Sequence, residues 1–414
     1  MSAPPTEPAD ETAEPGTNIA DPGAQNTEPS ADLSDIVPEP QTMASAGKEL
    51  NPYDAVVLLS FGGPEAPDEV MPFLRRVTGG RGIPDERLEQ VAEHYHHFGG
   101  KSPINDQNRD LLKALRAELD RRDLATPLLW GNRNSAPFLT DTLREAHDAG
   151  LRNVVVVTTS AYSCYSSCRQ YREDLADAVA TLADEGKALA IDKVRPYWNH
   201  PGFAATNVAL VTHAVQEMHQ QAPDEPLPRI ICVTHSIPDA MDDTSGPGDE
   251  DGNLYREQHQ RLSDAIGEEV SATMGQPVDA DLAYCSRSGP PSQPWLEPDI
   301  NDHLTALHAE GVERVVVAPI GFVSDHMEVV FDLDTEAAET VEELGLQMTR
   351  VPTVGVDTQF VTGLVDLVIE RAALAREETV QQPAWPDPTP RPVVCRPGCC
   401  PNLRVSKPAC CGQD

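Results

Sequence analysis

Short aliphatic runs recur along the chain, each flanked by turn-forming or polar residues. DAVVLLS (54–60), PLLWGN from Pro127, VVVVTTS from Val154, RIICVTH (229–235), DLAYCS from Asp281 and RVVVAPI from Arg314 are short and mostly apolar, and all but PLLWGN and DLAYCS carry β-branched residues. Such continuous apolar runs mark strands buried on both faces, as in parallel sheets. Between them, apolar positions fall at helical spacing over 105–122, 138–149, 167–182, 255–274 and 297–309. Strand alternating with helix predicts βαβ units, hence an α/β fold. The Pro-rich, acidic stretch QAPDEPLP (221–228) splits this pattern into two comparable halves. We expect two doubly wound parallel-sheet domains, 51–222 and 229–376, with a cleft between them. In such folds ligands bind outside the carboxyl ends of the strands. After Arg376 come a Pro-rich linker and a Cys-rich tail, 377–414.

The first fifty residues have no such pattern. They hold eight prolines, ten acidic residues, one basic residue (Lys48) and no aromatic ring. A segment of this composition cannot bury enough apolar surface to offset its ordering entropy, so 1–50 is expected to be disordered. It lacks the basic start and apolar core of a secretory signal. No apolar run reaches the roughly 20 residues of a membrane span. A cytoplasmic monomer is expected. The net charge of −36 argues against nucleic acid or anionic lipid as partners, since both attract a local Lys/Arg excess.

The candidate chemistry lies where strands end. RIICVTH brings His235 to a strand tip, and RVVVAPI leads into GFVSDHME, which ends at Glu328. If both tips open into one cleft, an imidazole and a carboxylate face each other there. That pair can accept protons or bind a borderline cation such as Fe²⁺. A satisfied core histidine is the competing reading of a lone strand-end His. Asp325, Glu328, Asp332 and Glu336 are spaced by three or four residues, so on a helix they form one acidic stripe. A solvated face is the ordinary explanation of such a stripe. Here it follows a buried strand and is interleaved with Met327, Val329, Val330, Phe331 and Leu333, which points to carboxylates lining a passage for cations. His94, His96 and His97 in HYHHF have no evident third ligand partner. They read as a helix end beside the cleft.

Five motifs in order, LLSFGGPE, FGGKSPIN, YSCYSSCRQY, VTHSIP and PIGFVSDHMEVVFDLDTE, resemble the ferrochelatases from about Val56 to Glu370. The resemblance implies two Rossmann-like, chelatase-type domains around a porphyrin cleft, and insertion of Fe²⁺ into the porphyrin as the activity. It assigns metal binding and uptake of pyrrole protons to His235 and Glu328, support of Glu328 to His326, and a metal path to Asp332 and Glu336. Ser102 and Tyr171 match porphyrin-contacting positions. Phe61 stands where some relatives have an iron-reaching Tyr, so it carries over only as a packing contact. In VTGGRGIP relatives often have two arginines; this chain keeps Arg81 and has Gly79 at the other position. Arg81 is therefore a candidate propionate partner, with Arg75, Arg76 and Lys101 as stand-ins, although exposed loop arginines seldom identify their partners.

Five of the nine cysteines, Cys395, Cys399, Cys400, Cys410 and Cys411, crowd the tail. In a cytosolic chain such a cluster points to metal rather than disulfides. The resemblance implies a [2Fe–2S] cluster held by one internal and three tail cysteines, with Cys168 favoured over Cys164 as the internal ligand. Zn²⁺ is the rival occupant. Cys232 and Cys285 lie in strand-like runs and read as core residues. The tail is similar to that of actinobacterial members, which implies coproporphyrin III as substrate, with protoporphyrin IX as the alternative. Sirohydrochlorin cobalt chelatases share the expected fold, but GGKSPIN and SDHMEVVFDLD favour iron. A non-catalytic porphyrin carrier or iron–sulfur sensor is the alternative of another class; intact His235 and Glu328 favour catalysis.

Overall fold

The computed structural model describes residues 48–79, 82–247, 252–289 and 292–413. The expected disorder of the N-terminal extension lies, for 1–47, outside the described residues, as does Arg81. Residues 48–50 are the exception to that expectation. They form a 3₁₀ turn, and Leu50 is buried in the core. Arg376 Nη1 caps the turn by donating to Glu49 O and Asn51 O, at 2.8 and 2.7 Å. One large aliphatic side chain and a guanidinium are enough to order the end of an otherwise polar segment.

The first half runs β1 (Ala55–Ser60), α1 (Val70–Val77), α2 (Asp85–His97), α3 (Ile104–Arg121), β2 (Leu128–Asn132), α4 (Leu139–Asp148), β3 (Asn153–Thr158), α5 (Gln170–Asp184), β4 (Ala190–Lys193) and α6 (Pro201–Gln221). The second runs β5 (Arg229–His235), α7 (Asp239–Asp243), α8 (Leu254–Met274), β6 (Ala280–Cys285), α9 (Ile300–Ala309), β7 (Arg314–Ala318), α10 (Met327–Phe331), α11 (Ala337–Leu344), β8 (Gln347–Arg350) and α12 (Thr358–Ala375). Each half builds a parallel four-stranded sheet, ordered β2-β1-β3-β4 and β6-β5-β7-β8. The two-residue period of a strand sorts the aliphatic run of β1 onto opposite faces. Val56 and Leu58 join a core shared with Ile230, Cys232 and Val316 of the second sheet. Val57 and Leu59 pack with Leu143 and Leu175 under α4 and α5. On the far side of the second sheet, Ile231, Val233, Val315 and Val317 pack with Leu304, Leu333 and Val341. One continuous core thus lies between the sheets, with a smaller one outside each.

Strand order reverses direction at β1 and at β5, and crevices open where it does. The loops after β1, β3, β5 and β7 therefore meet. Tyr162, just beyond β3, donates to Ile320 O, just beyond β7, at 2.8 Å. Two glycines permit the close approach. Gly62 adopts φ +76°, where a side chain would collide with Ser135, and a side chain at Gly321 would collide with Thr234 of β5. α12 belongs to the second half by sequence, yet it packs against α3 and α6 of the first. A side-chain carbon on Gly363 of α12 would stand 2.8 Å from His200 Nδ1 and 3.0 Å from Gly202 Cα, so this helix crossing depends on glycine.

The linker after α12 is not loose. Arg195 pairs with Glu370 at 2.9 Å, both buried, and also donates to Pro383 O at 2.9 Å. Asn199 Nδ2 donates to Asp387 O and Thr389 O, at 2.9 and 3.0 Å, and Trp385 N donates to Asn199 O at 2.8 Å. A Pro-rich chain has few N–H groups of its own, and here buried side chains of the first half satisfy its carbonyls. No described helix is long and apolar enough to cross a membrane.

Candidate active site

β5 delivers His235 to the crevice, and α10 brings Glu328 opposite it. His235 Nε2 lies 3.5 Å from Glu328 Oε2. His235 Nδ1 faces Ser236 O within hydrogen-bonding distance. A carbonyl only accepts, so Nδ1 carries a proton, and Nε2 is the nitrogen turned toward Glu328, with a lone pair there whenever the ring is neutral. His326 approaches the same carboxylate oxygen, also at 3.5 Å, with the opposite tautomer. Its Nδ1 accepts from Val329 N at 3.2 Å as it caps α10, leaving Nε2–H to donate to Glu328. Burial lowers the His326 pKa, which keeps that ring neutral. Glu328 is therefore steadied by one imidazole and faces a lone pair on the other. Two electron-pair donors 3.5 Å apart can share a proton or a cation.

The acidic stripe takes a form that the spacing did not predict. After five residues α10 widens into a π-helical turn, Asp332–Glu336, which runs on into α11. Asp325 lies before α10, not on it, and pairs with Arg350 at 3.1 Å. Arg350 also holds Asp334 at 2.7 Å. That leaves Glu328, Asp332 and Glu336 as the stripe. Asp332 accepts from the Ser286 hydroxyl at the end of β6. Burial, reinforced by Glu328 and Glu336, lifts its pKa to about 7 despite that hydrogen bond. Glu336 is also raised, chiefly by burial.

The other candidates group around the β1 turn. Phe61 meets Phe73 edge-on, with ring centroids 6.1 Å apart. Ser102 is buried against Gly63, its N–H donating to Pro64 O at 2.9 Å. Tyr171, on α5, is buried beneath the Arg133 guanidinium, 4.5 Å from the ring centroid. Arg133 also lies 5.6 Å over the Phe61 ring and pairs with Asp174. Sequence reading missed Arg133, and the only signal was its place directly after β2, at a strand's carboxyl end. Of the stand-ins for Arg81, Arg75 pairs with Asp85 at 2.8 Å. Arg76 donates to Asn134 O at 2.8 Å, and Lys101 pairs with Asp106 at 2.6 Å. Each is engaged within the protein. Of the three histidines at the end of α2, His94 stacks on Phe331 and His97 lies edge-on to Phe98.

The cysteines separate into two sets. The Cys168 thiol hydrogen-bonds Cys395 and Cys395 bonds Cys399, while Cys399 Sγ donates to Cys400 Sγ over 3.8 Å. This row joins both halves, because Gly246 N donates to Cys400 Sγ at 3.3 Å. Cys410 and Cys411 lie apart from it. Cys410 N donates to Arg172 O at 3.0 Å and Arg172 Nε donates to Cys410 O at 2.6 Å, and Cys411 Sγ donates to Ile191 O at 3.5 Å. Cys164 is occupied with Ser166 and Ser167, both at 3.3 Å. Cys232 and Cys285 are buried in the cores of the second half. The hydrogen bond to Cys395, followed by burial, pushes the Cys168 thiol far up, so a metal entering here displaces protons. Among the described residues no three His, Cys, Asp or Glu side chains converge as ligands of a single ion; the thiols stand in a row.

The ferrochelatase family model matches residues 53–372. The chain is 52% identical to a coproporphyrin III ferrochelatase of Streptomyces coelicolor, over 88% of this chain and 98% of that one. It is 50% identical to a coproporphyrin III ferrochelatase of Leifsonia xyli, over 87% and 94%. Among solved structures, SirB from Bacillus subtilis with Fe3+ aligns at a TM-score of 0.43 and 13% identity, over 78% of this chain and 97% of that one. Its motifs stand in order, and both the family model and these relatives match most of its length: the chain belongs to the ferrochelatase family.

Proposed function

We propose that this protein is a lyase that inserts Fe²⁺ into coproporphyrin III, releasing coproheme and two protons, as a step of haem biosynthesis. The observation that carries this reading is Nε2 of His235 facing the Glu328 carboxylate across 3.5 Å, with Nδ1 turned to the Ser236 carbonyl. Replacing two pyrrole N–H bonds by bonds to iron needs a base and a cation-holding group side by side. His235 takes up the first proton at Nε2. Glu328, held by His326, presents Fe²⁺ to the ring and receives the second proton as the metal leaves it. Asp332 and Glu336 continue the carboxylate line from Glu328 and serve as the path that brings Fe²⁺ to it. Phe61, Ser102 and Tyr171 shape the porphyrin pocket, and Arg81 serves a propionate. The relatives' names support coproporphyrin III as the porphyrin. Anaerobic mixing with Fe²⁺ and each porphyrin tests the reading. The Soret band of coproporphyrin III should shift far faster than that of protoporphyrin IX. Equal rates would remove the substrate assignment, and no shift with either would remove the activity.

The reading extends to a [2Fe–2S] cluster held by Cys168, Cys395, Cys399 and Cys400. A two-iron cluster spreads four thiolates over two metals, which suits a row of four buried thiols better than a single ion would. Cys410 and Cys411 are left out of this ligand set. When bound, the cluster supplies a structural tie or a redox signal, since metal insertion transfers no electrons. Iron and sulfide analysis of the anaerobic protein, with Cys168→Ser as the bleached control, tests this. Zinc without sulfide would replace the cluster by a zinc site. All nine cysteines are free thiols, which favours the reducing cytoplasm.

A further inference from the structure

Glu328 and Asp332 sit where a helix changes pitch. α10, the π-helical turn Asp332–Glu336 and α11 follow one another without a break. Such π turns inside α-helices are frequent at functional sites. Val329 and Leu333 anchor this stretch on the second sheet. Further packing comes from the other half of the molecule. Met327 is buried among Val70, Phe73, Leu88 and Tyr95 of α1 and α2. Asp325 N donates to Gln107 Oε1 of α3 at 2.8 Å. The closest ring contact is that of His94, on α2, which stacks face to face on Phe331 at 3.8 Å with an interplanar angle of 9°. Phe331 is the last residue before Asp332.

The same helix reaches the porphyrin side. Tyr95 packs 5.9 Å from Phe73, and Phe73 packs 6.1 Å from Phe61. α2 thus touches both the wall of the porphyrin pocket and the carboxylate-bearing segment.

We propose that His94 is a positioning residue: by stacking on Phe331 it fixes Glu328 and Asp332 relative to His235 and ties their placement to helix α2. It touches neither substrate nor metal. The inference rests on the reading of His235 and Glu328 as the reacting pair.

The test uses the full-length protein with His94→Ala, His94→Gln and His94→Phe, alongside His235→Ala. His94→Ala and His94→Gln lose the aromatic face and should raise KM for Fe²⁺ by about tenfold, as small misplacements of reacting groups do. Porphyrin affinity, read by fluorescence quenching, should be unchanged, and so should Tm. His94→Phe keeps a flat ring and should restore KM for Fe²⁺. Should His94→Ala fail to fold, the comparison of Gln with Phe carries the same contrast. A wild-type KM in the Gln variant, or a Phe variant as impaired as Gln, overturns the proposal. Full turnover by His235→Ala would instead remove the reacting pair itself, whatever the His94 variants show.

Discussion

At the scale of single residues, tautomers and burial decide the chemistry. The Ser236 carbonyl fixes the proton of His235 on Nδ1, so only Nε2 is left to act as a base. His235→Ala should lower iron insertion by about 10²–10⁴-fold, the usual worth of a positioned base, while porphyrin binding survives; stopped-flow Soret spectra with a quenching titration check both. Asp332 makes a second prediction. Its folded pKa of about 7 lies above its ordinary value of 3.8. Between those values the folded protein keeps a proton that the unfolded chain has released. Stability therefore falls as pH rises through this window, and the penalty is complete above pH 7. Asp332→Asn should flatten that dependence and be the more stable protein at pH 8. Urea midpoints at pH 5 and pH 8 measure it, and equal slopes in the two proteins would contradict it. That His235 and Glu328 would meet was legible because His235 ends the buried strand β5 and Glu328 lies beyond β7; their proposed roles came from the family motifs. Arg133 was not, because a loop arginine looks the same whether it points to solvent or covers two aromatic rings.

At the scale of elements, β1, β2, β3, β5, β6 and β7 were readable because two-sided burial makes their residues mostly apolar. The edge strands β4 and β8 were missed. They have four residues each, AIDK and QMTR, and only Lys193 among them is buried. The π turn was missed for a different reason. Carboxylates four apart fit an α-helix on paper, and nothing in their spacing signals the wider turn. The docking of the linker was also invisible, because its partners Arg195, Asn199 and Glu370 lie far away in sequence. That docking yields a third prediction. Arg195→Met leaves Glu370 buried without its cation, a loss of about 3–5 kcal/mol for a broken buried pair. Tm should fall, and a protease should cut within 379–392 far sooner. Adding Glu370→Leu should recover much of the loss. A single variant with wild-type Tm would show that the pair does not hold the linker.

At the scale of the whole molecule, the net charge of −36 acts on the two substrates with opposite sign. An anionic protein attracts Fe²⁺ and repels a tetracarboxylate porphyrin, and salt screens both effects. Raising ionic strength should therefore lower kcat/KM for Fe²⁺ and raise kcat/KM for coproporphyrin III. Parallel changes in the two would show that local contacts outweigh the overall field. The row of thiols also gives the molecule a clock. Cys168 belongs to the first half, while Cys395, Cys399 and Cys400 stand near the carboxyl end. During synthesis at roughly 5–20 residues per second, the 232 residues from Cys168 to Cys400 (400 − 168) take on the order of 10–50 s to appear. The row cannot close before then. A chain abandoned by the ribosome just after α12 would have both sheets and the His235 crevice but a solitary Cys168. Closure of this row therefore comes only after the chain has been made through Cys400, well behind both sheets.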